Sequence, residues 1–142
     1  MTTYRFTDQL LSIFEAAAAL SAARNADALL LLLDGPTDWE RLKEVAGEQK
    51  IVVAADFVTQ IEGATDAGVP TVLLNNPDAS VHEKLTQALL ESVADDILAA
   101  GAQVVAMYSA FEAGAIDSVS LVHLGEHLGQ LTARDLRQLE TS

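Results

Sequence analysis

The chain has 142 residues, enough to bury one core of its own. Half of it is hydrophobic, only 5% is aromatic, and 21 acidic residues against 8 basic ones leave a net charge of −13. That balance excludes binding to nucleic-acid phosphates or anionic lipid, which needs clustered Lys and Arg, and zero cysteines exclude a disulfide framework, a thiolate nucleophile and any Cys-based metal site.

Phe6, Thr7 and Leu11 form the pattern of a hydrophobic staple around an N-cap, predicting a helix through "DQLLSIFEAAAALSAARN" at 8–25. Asp8 and Glu15 interrupt this stretch and no basic run precedes it, so it is not a secretory signal. "DALLLLLD" at 27–34 is a continuous apolar run that stops at Asp34-Gly35-Pro36. Its length and stop signal predict a central strand, and it falls far short of the ~20 residues that span a bilayer. A cytoplasmic location is the expectation.

Thr37 opens a second predicted helix, with Glu40 at the capping-box position and Gly47 as its stop. "KIVVAAD" at 50–56 reads as a strand, "FVTQIEGATDAG" at 57–68 as a helix ended by Gly68, and "VPTVLLNN" at 69–76 as a third strand. Ser80 and Glu83 form another capping box, opening a long helix through "VHEKLTQALLESVADDILAAG" at 81–101. Its apolar face comprises Val81, Leu85, Ala88, Leu89, Val93 and Ile97. "AQVVAMYS" at 102–109 and "DSVSLVHLG" at 117–125 read as strands four and five.

Strands alternating with helices predict βαβ units with right-handed crossovers. The fold class is therefore α/β: a three-layer, doubly wound sheet, mostly parallel, of about five strands. Residues 1–126 form one domain in this reading and 127–142 a C-terminal helix or connector. Thr132, followed three residues later by Asp135, marks a helix start in "LTARDLRQLETS". So short and charged a helix needs something to pack on, and the expectation is one domain of a longer protein.

Ligands of open α/β sheets lie beyond the carboxyl ends of the strands. The candidate ligand-binding residues there are Asp34, Thr37, Asp56, Asn75, Asn76, Ser109 and Glu112. Asp34 and Asp56 could pair around a divalent cation, or each could complement a helix N-terminus. A phosphoacceptor site is disfavoured: the acids follow different strands, and Lys43, Lys50 and Lys84 all lie away from strand carboxyl ends in sequence. Neither a G-x-G-x-x-G nor a Walker loop occurs. "YSAFEAG" at 108–114 could offer backbone amides and the Ser109 hydroxyl to an anion, or be a simple turn. His123 and His127, with Glu126, have metal-ligand spacing only on a helix, and this stretch reads as a strand and turn. His82 sits in a first helical turn, and Ser109 has no evident base. No catalytic or metal residue is assigned.

"ALLLLLDGPTDWERLKEVAG", "VPTVLLNNPDASVHEKLTQALLESVADDIL" and "LGEHLGQLTARDLRQLETS" together resemble the N-terminal domain of a diadenylate cyclase group of the DNA integrity scanning type. That domain is similar to the C-terminal, allosteric domain of pyruvate kinase, and precedes a domain that joins two ATP molecules into cyclic di-AMP. Diadenylate cyclase domains carry Asp-Gly-Ala and Arg-His-Arg motifs, and neither occurs in this sequence. The resemblance thus implies a non-catalytic regulatory or assembly domain, with ATP and divalent metal belonging to a following cyclase domain and no cofactor in this segment. It also implies a homo-oligomer, because cyclisation needs two active sites face to face. Two other functions stay open: a free-standing small-molecule-binding domain using the strand-end pocket, and a metal-dependent hydrolase using Asp34 and Asp56.

Overall fold

A computed structural model describes residues 8–33, 35, 37–112 and 115–125. Helix α1 (Asp8–Arg24) leads into β1 (Ala28–Leu32), α2 (Trp39–Ala46) and β2 (Ile51–Ala55). A 3₁₀ turn (Val58–Gln60) and the short α3 (Ala64–Ala67) follow, then β3 (Thr71–Leu73), α4 (Val81–Ala94), β4 (Gln103–Tyr108) and β5 (Ser118–His123). The sheet order is β3-β2-β1-β4-β5. All neighbours are parallel except β4 and β5, which pair antiparallel with Gln103 opposite His123. The mostly parallel, five-stranded α/β architecture expected from the sequence is what the chain adopts.

The central strands are buried on both faces, which is why β1 and β2 read as continuous apolar runs. Alternate side chains feed two separate cores. Leu29, Leu31, Val53, Val105 and Met107 meet Phe14 of α1 and Leu42 of α2 on one face. Leu30, Val52, Ala54, Val104 and Ala106 meet Ala88 and Leu89 of α4 on the other. The reversal from the α1–α2–α3 face to the α4 face accompanies the jump of the chain from β3 back across the sheet to β4.

Strand β3 is shorter than the predicted 69–76, and three helix boundaries differ from the sequence reading, each for a local reason. Helix α2 is capped by Asp38, whose carboxylate accepts the Arg41 amide at 3.2 Å, one residue later than predicted. Aspartate outranks threonine as an N-cap, and Thr37 is drawn inside, 5% exposed.

The predicted helix over 57–68 is instead a 3₁₀ turn and one turn of α-helix, because Gly63 takes a left-handed φ of 90° between them. A Cβ at Gly63 would lie 3.0 Å from Trp39 Cδ1, and the Trp39 indole donates to the Glu62 carbonyl at 2.6 Å. Gly63→Ala is therefore expected to cost about 1–3 kcal/mol, from backbone strain and from displacing Trp39. Urea unfolding measures it, and a loss below ~0.5 kcal/mol contradicts the close approach.

Helix α4 stops at Ala94, seven residues short of Gly101. The Ile97 amide reaches back to the Ser92 carbonyl at 2.8 Å and the Asp96 amide to that of Val93 at 3.1 Å, with Asp96 at φ 59°. This is a Schellman stop with aspartate in the place usually held by glycine, so the sequence carries no obvious stop signal. Ile97 still packs against the α4-side core from beyond the helix end. The connector proposed at 127–142 lies outside the described residues, as do Phe6 and Thr7 of the N-terminal staple.

Candidate functional site

Strand order reverses at β1, since β2 and β3 lie to one side of it and β4 to the other. In open α/β sheets this is where the loops diverge and leave a crevice beyond the carboxyl ends. Here a crevice of about 380 Å³ opens between Leu32 and Leu33 at the end of β1 and Ser109, Ala110 and Phe111 after β4. Val81 and Lys84, from the first turn of α4, form another wall of it.

Lys84 is four residues from the Ser80 cap, whose hydroxyl accepts the Glu83 amide at 3.2 Å. The helix aims the Lys84 side chain back at the strand ends, as helical side chains lean toward the N-terminus. Its ammonium donates to Asp56 Oδ2 at 2.6 Å, while Asp56 Oδ1 accepts the Asn76 amide at 3.0 Å. The two side chains are 10% (Asp56) and 18% (Lys84) exposed. Together they tie the end of β2, the β3–α4 loop and α4 into one unit beside the crevice. No signal in the spacing 56…84 announces this pair; only the return of α4 over the sheet creates it.

The loop after β4 is fixed by one carboxylate. Asp117 Oδ1 accepts the Ala110 amide at 2.8 Å, and Oδ2 accepts those of Phe111 and Glu112 at 3.0 and 2.9 Å. The Ser118 hydroxyl also donates to Oδ1 at 2.9 Å. The Ala110 amide is the largest cause holding the Asp117 pKa down, to about 2 from 3.8; partial desolvation opposes it, and Ser118, Phe111 and Glu112 assist. The amides that the sequence offered to an external anion are thus already occupied by the chain's own acid. Ser109 does line the crevice, but its hydroxyl is turned onto the carbonyls of Glu112 (2.6 Å) and Ala115 (2.5 Å).

This geometry has a pH consequence. A depressed carboxyl pKa makes the folded loop's advantage complete above the unfolded value of about 3.8, and it is lost as pH falls through about 2. The Ala110, Phe111 and Glu112 amide resonances are therefore expected to titrate with a midpoint near 2. A midpoint near 3.8 means the carboxylate does not hold the loop.

The remaining predicted residues separate. Asp34 lies outside the described residues, so no Asp34–Asp56 pair can be described, and Asp56 is instead neutralised by Lys84. Thr37 is buried with its hydroxyl lacking a hydrogen-bond partner among the described residues. Asn75 is exposed with a left-handed φ of 52°, a turn role that asparagine tolerates. Asn76 takes part through its backbone amide to Asp56, and Glu112, also exposed, through its amide to Asp117. His123 is exposed at the end of β5, while Glu126 and His127 lie outside the described residues. Among the described residues, no group of three His, Cys, Asp or Glu side chains is placed to hold a metal ion. No helix among them is long and apolar enough to cross a membrane.

Sequence reasoning missed Lys84, having read the strand ends as lacking a side-chain cation. It also missed Asp117, whose separation from the amides it caps is closed only by the β4–β5 turn.

The architecture is similar to that of the pyruvate kinase C-terminal domain. A crystal structure of a pyruvate kinase from Cryptosporidium parvum superposes with a TM-score of 0.63 at 15% identity, covering 83% of this chain and 23% of that one. The Cryptosporidium parvum enzyme in complex with ADP gives a TM-score of 0.65 at 16% identity, covering 83% and 24%. This chain therefore spans about a quarter of those enzymes' length, and at such identity the likeness shows the fold alone. No curated protein sequence matches the chain. The model of one family, described as "Probable sensor domain DacZ_P", matches residues 9–132, and the chain belongs to that family.

Proposed function

We propose that this chain is a non-catalytic sensing and regulatory domain of a diadenylate cyclase-type protein, and that it senses a small molecule in the crevice between the ends of β1 and β4. One observation carries the reading: a chain of a sensor-domain family has a concave site at the switch point of its sheet, with the Lys84 ammonium at its wall. A ligand there meets an apolar floor at Leu32, Leu33 and Val81 and the Lys84 ammonium, while Phe111, 93% exposed, stands at the rim. Binding that draws Lys84 from Asp56 would loosen α4 from the β2 end, a local change with a structural readout.

In this proposal ATP, divalent metal and the cyclising chemistry belong to a further domain of a cytoplasmic parent protein. Self-association of this domain would help bring two cyclase sites face to face. Light scattering on the parent tests that step, and a strict monomer contradicts it. Sensing itself is tested by screening metabolites for thermal stabilisation, since a native-state binder raises apparent stability by mass action. A hit should shift the amide resonances of Lys84, Ser109 and Phe111. Hits that shift only residues away from the crevice overturn the site. The intact mass of the protein from its native cell separates this reading from a free-standing binder of the same ligand. A mass well above 15.0 kDa is expected, and one equal to it removes the cyclase link.

A further inference from the structure

At the strand-end crevice the chain's own carboxylates occupy the groups that would receive a ligand anion. The Lys84 ammonium donates to Asp56 Oδ2 at 2.6 Å. The amides of Ala110, Phe111 and Glu112 donate to Asp117 at 2.8, 3.0 and 2.9 Å. With its pKa held down to about 2, Asp117 stays ionised near neutral pH and does not vacate those amides. The loops after β1 and β4, 33–38 and 109–117, contain no Lys, Arg or His to supply a further cation.

The Asp56 pairing weighs heavily against an anion at Lys84. A ligand anion about 2.8 Å from the ammonium nitrogen, on the side away from Asp56, would stand roughly 4–5 Å from the Asp56 carboxylate. Coulomb energy falls as 1/r, so the repulsion cancels roughly half to two-thirds of the attraction. The remainder has to offset the desolvation of a charge against Leu32, Leu33 and Val81. It does so in a chain of net charge −13.

An uncharged acceptor meets neither cost. Lysine has three N–H donors, and Asp56 takes one of them, so a ligand carbonyl can accept another while the ion pair stays closed. Ser109 supplies the complementary group. Its one hydroxyl proton is committed to the carbonyls of Glu112 and Ala115, at 2.6 and 2.5 Å, so toward a ligand its oxygen can only accept. A donor and an acceptor thus belong to the lining of one crevice of about 380 Å³, whose other lining residues are apolar.

We infer that the crevice takes an uncharged, largely apolar small molecule bearing a carboxamide-like pair, a carbonyl for Lys84 and an N–H for Ser109. Asp56 and Asp117 bar phosphorylated and carboxylate ligands from it. The inference rests on the crevice being the sensing site. A carbonyl that shares the ammonium slackens the tie between α4 and the end of β2 without stranding the Asp56 charge.

The test uses three probes with one apolar body, benzamide, benzoate and phenyl phosphate, each titrated into the intact chain and followed in ¹⁵N spectra. Benzamide is expected to shift the amides of Leu33, Lys84 and Ser109, with a dissociation constant on the order of tenfold below those of the two anions. Benzoate or phenyl phosphate binding at those amides as tightly as benzamide overturns the uncharged class and leaves the crevice standing as the site. No shift there with any probe overturns the crevice itself. An Asp56→Asn variant isolates the cause, since its carboxamide oxygen can still accept the Asn76 amide while the Lys84 charge is no longer compensated. Benzoate should then gain about tenfold at the same amides, and benzamide less than about twofold. An unchanged benzoate affinity means that Asp56 does not bar anions, and overturns the inference.

Discussion

Lys84→Met is expected to destabilise the domain by about 2–3 kcal/mol, although methionine retains most of the side chain's apolar bulk. The loss arises at Asp56, whose carboxylate keeps the Asn76 amide but loses the ammonium at 2.6 Å. Breaking a fully buried pair costs about 3–5 kcal/mol, and the 10% exposure of Asp56 places this one lower. Asp56→Ala should cost less, about 1–2 kcal/mol, because the lysine stem can swing its head to water. The double variant should fall short of the sum by about 1–2 kcal/mol, since the second change removes the charge stranded by the first. Urea unfolding of all four proteins gives the coupling directly. Strict additivity would show that the pair does not hold α4 to the end of β2.

Phe14→Ala has the largest expected effect on stability, about 3–5 kcal/mol. Phe14 is fully buried where α1 lies on the sheet, in the cluster with Leu31, Leu42 and Met107. Its neighbours come from a helix and from the middle of the sheet, so the cavity cannot close by a small loop movement. Domains of this kind have about 5–15 kcal/mol in total. The midpoint of thermal unfolding should therefore fall by roughly 10–20 °C. A fall of a few degrees would mean that α1 relaxes into the space and is less firmly packed than its burial indicates.

The contrast between these two positions shows what the sequence made legible. Phe14 lies in a long helical stretch, and β1 and β2 are unbroken apolar runs, so the layers and the core follow from local pattern alone. The same holds for Ser80, whose hydroxyl caps the start of α4 at the predicted residue. The Asp56–Lys84 pair does not follow, because it depends on α4 crossing back over the sheet, which no window of sequence encodes. Asp117 was hidden similarly: an acid seven residues after Ala110 looks like an ordinary turn residue until the β4–β5 reversal brings it onto three amides. The end of α4 was misread for a third reason, that Asp96 performs a glycine's conformational role. Local propensities gave the frame, and long-range placement decided the chemistry at its edge.

In the proposed function, the crevice regulates a diadenylate cyclase in the parent protein. The decisive measurement is the rate at which the parent, as the cell makes it, converts ATP to cyclic di-AMP, in wild type and in a Phe111→Asp variant. Phe111 is 93% exposed at the crevice rim, so the substitution alters the site without opening the core. Cyclic di-AMP is expected to form, at rates that differ between the two proteins. No product, or identical rates across the metabolites that stabilise the wild-type domain, would overturn regulation through the crevice.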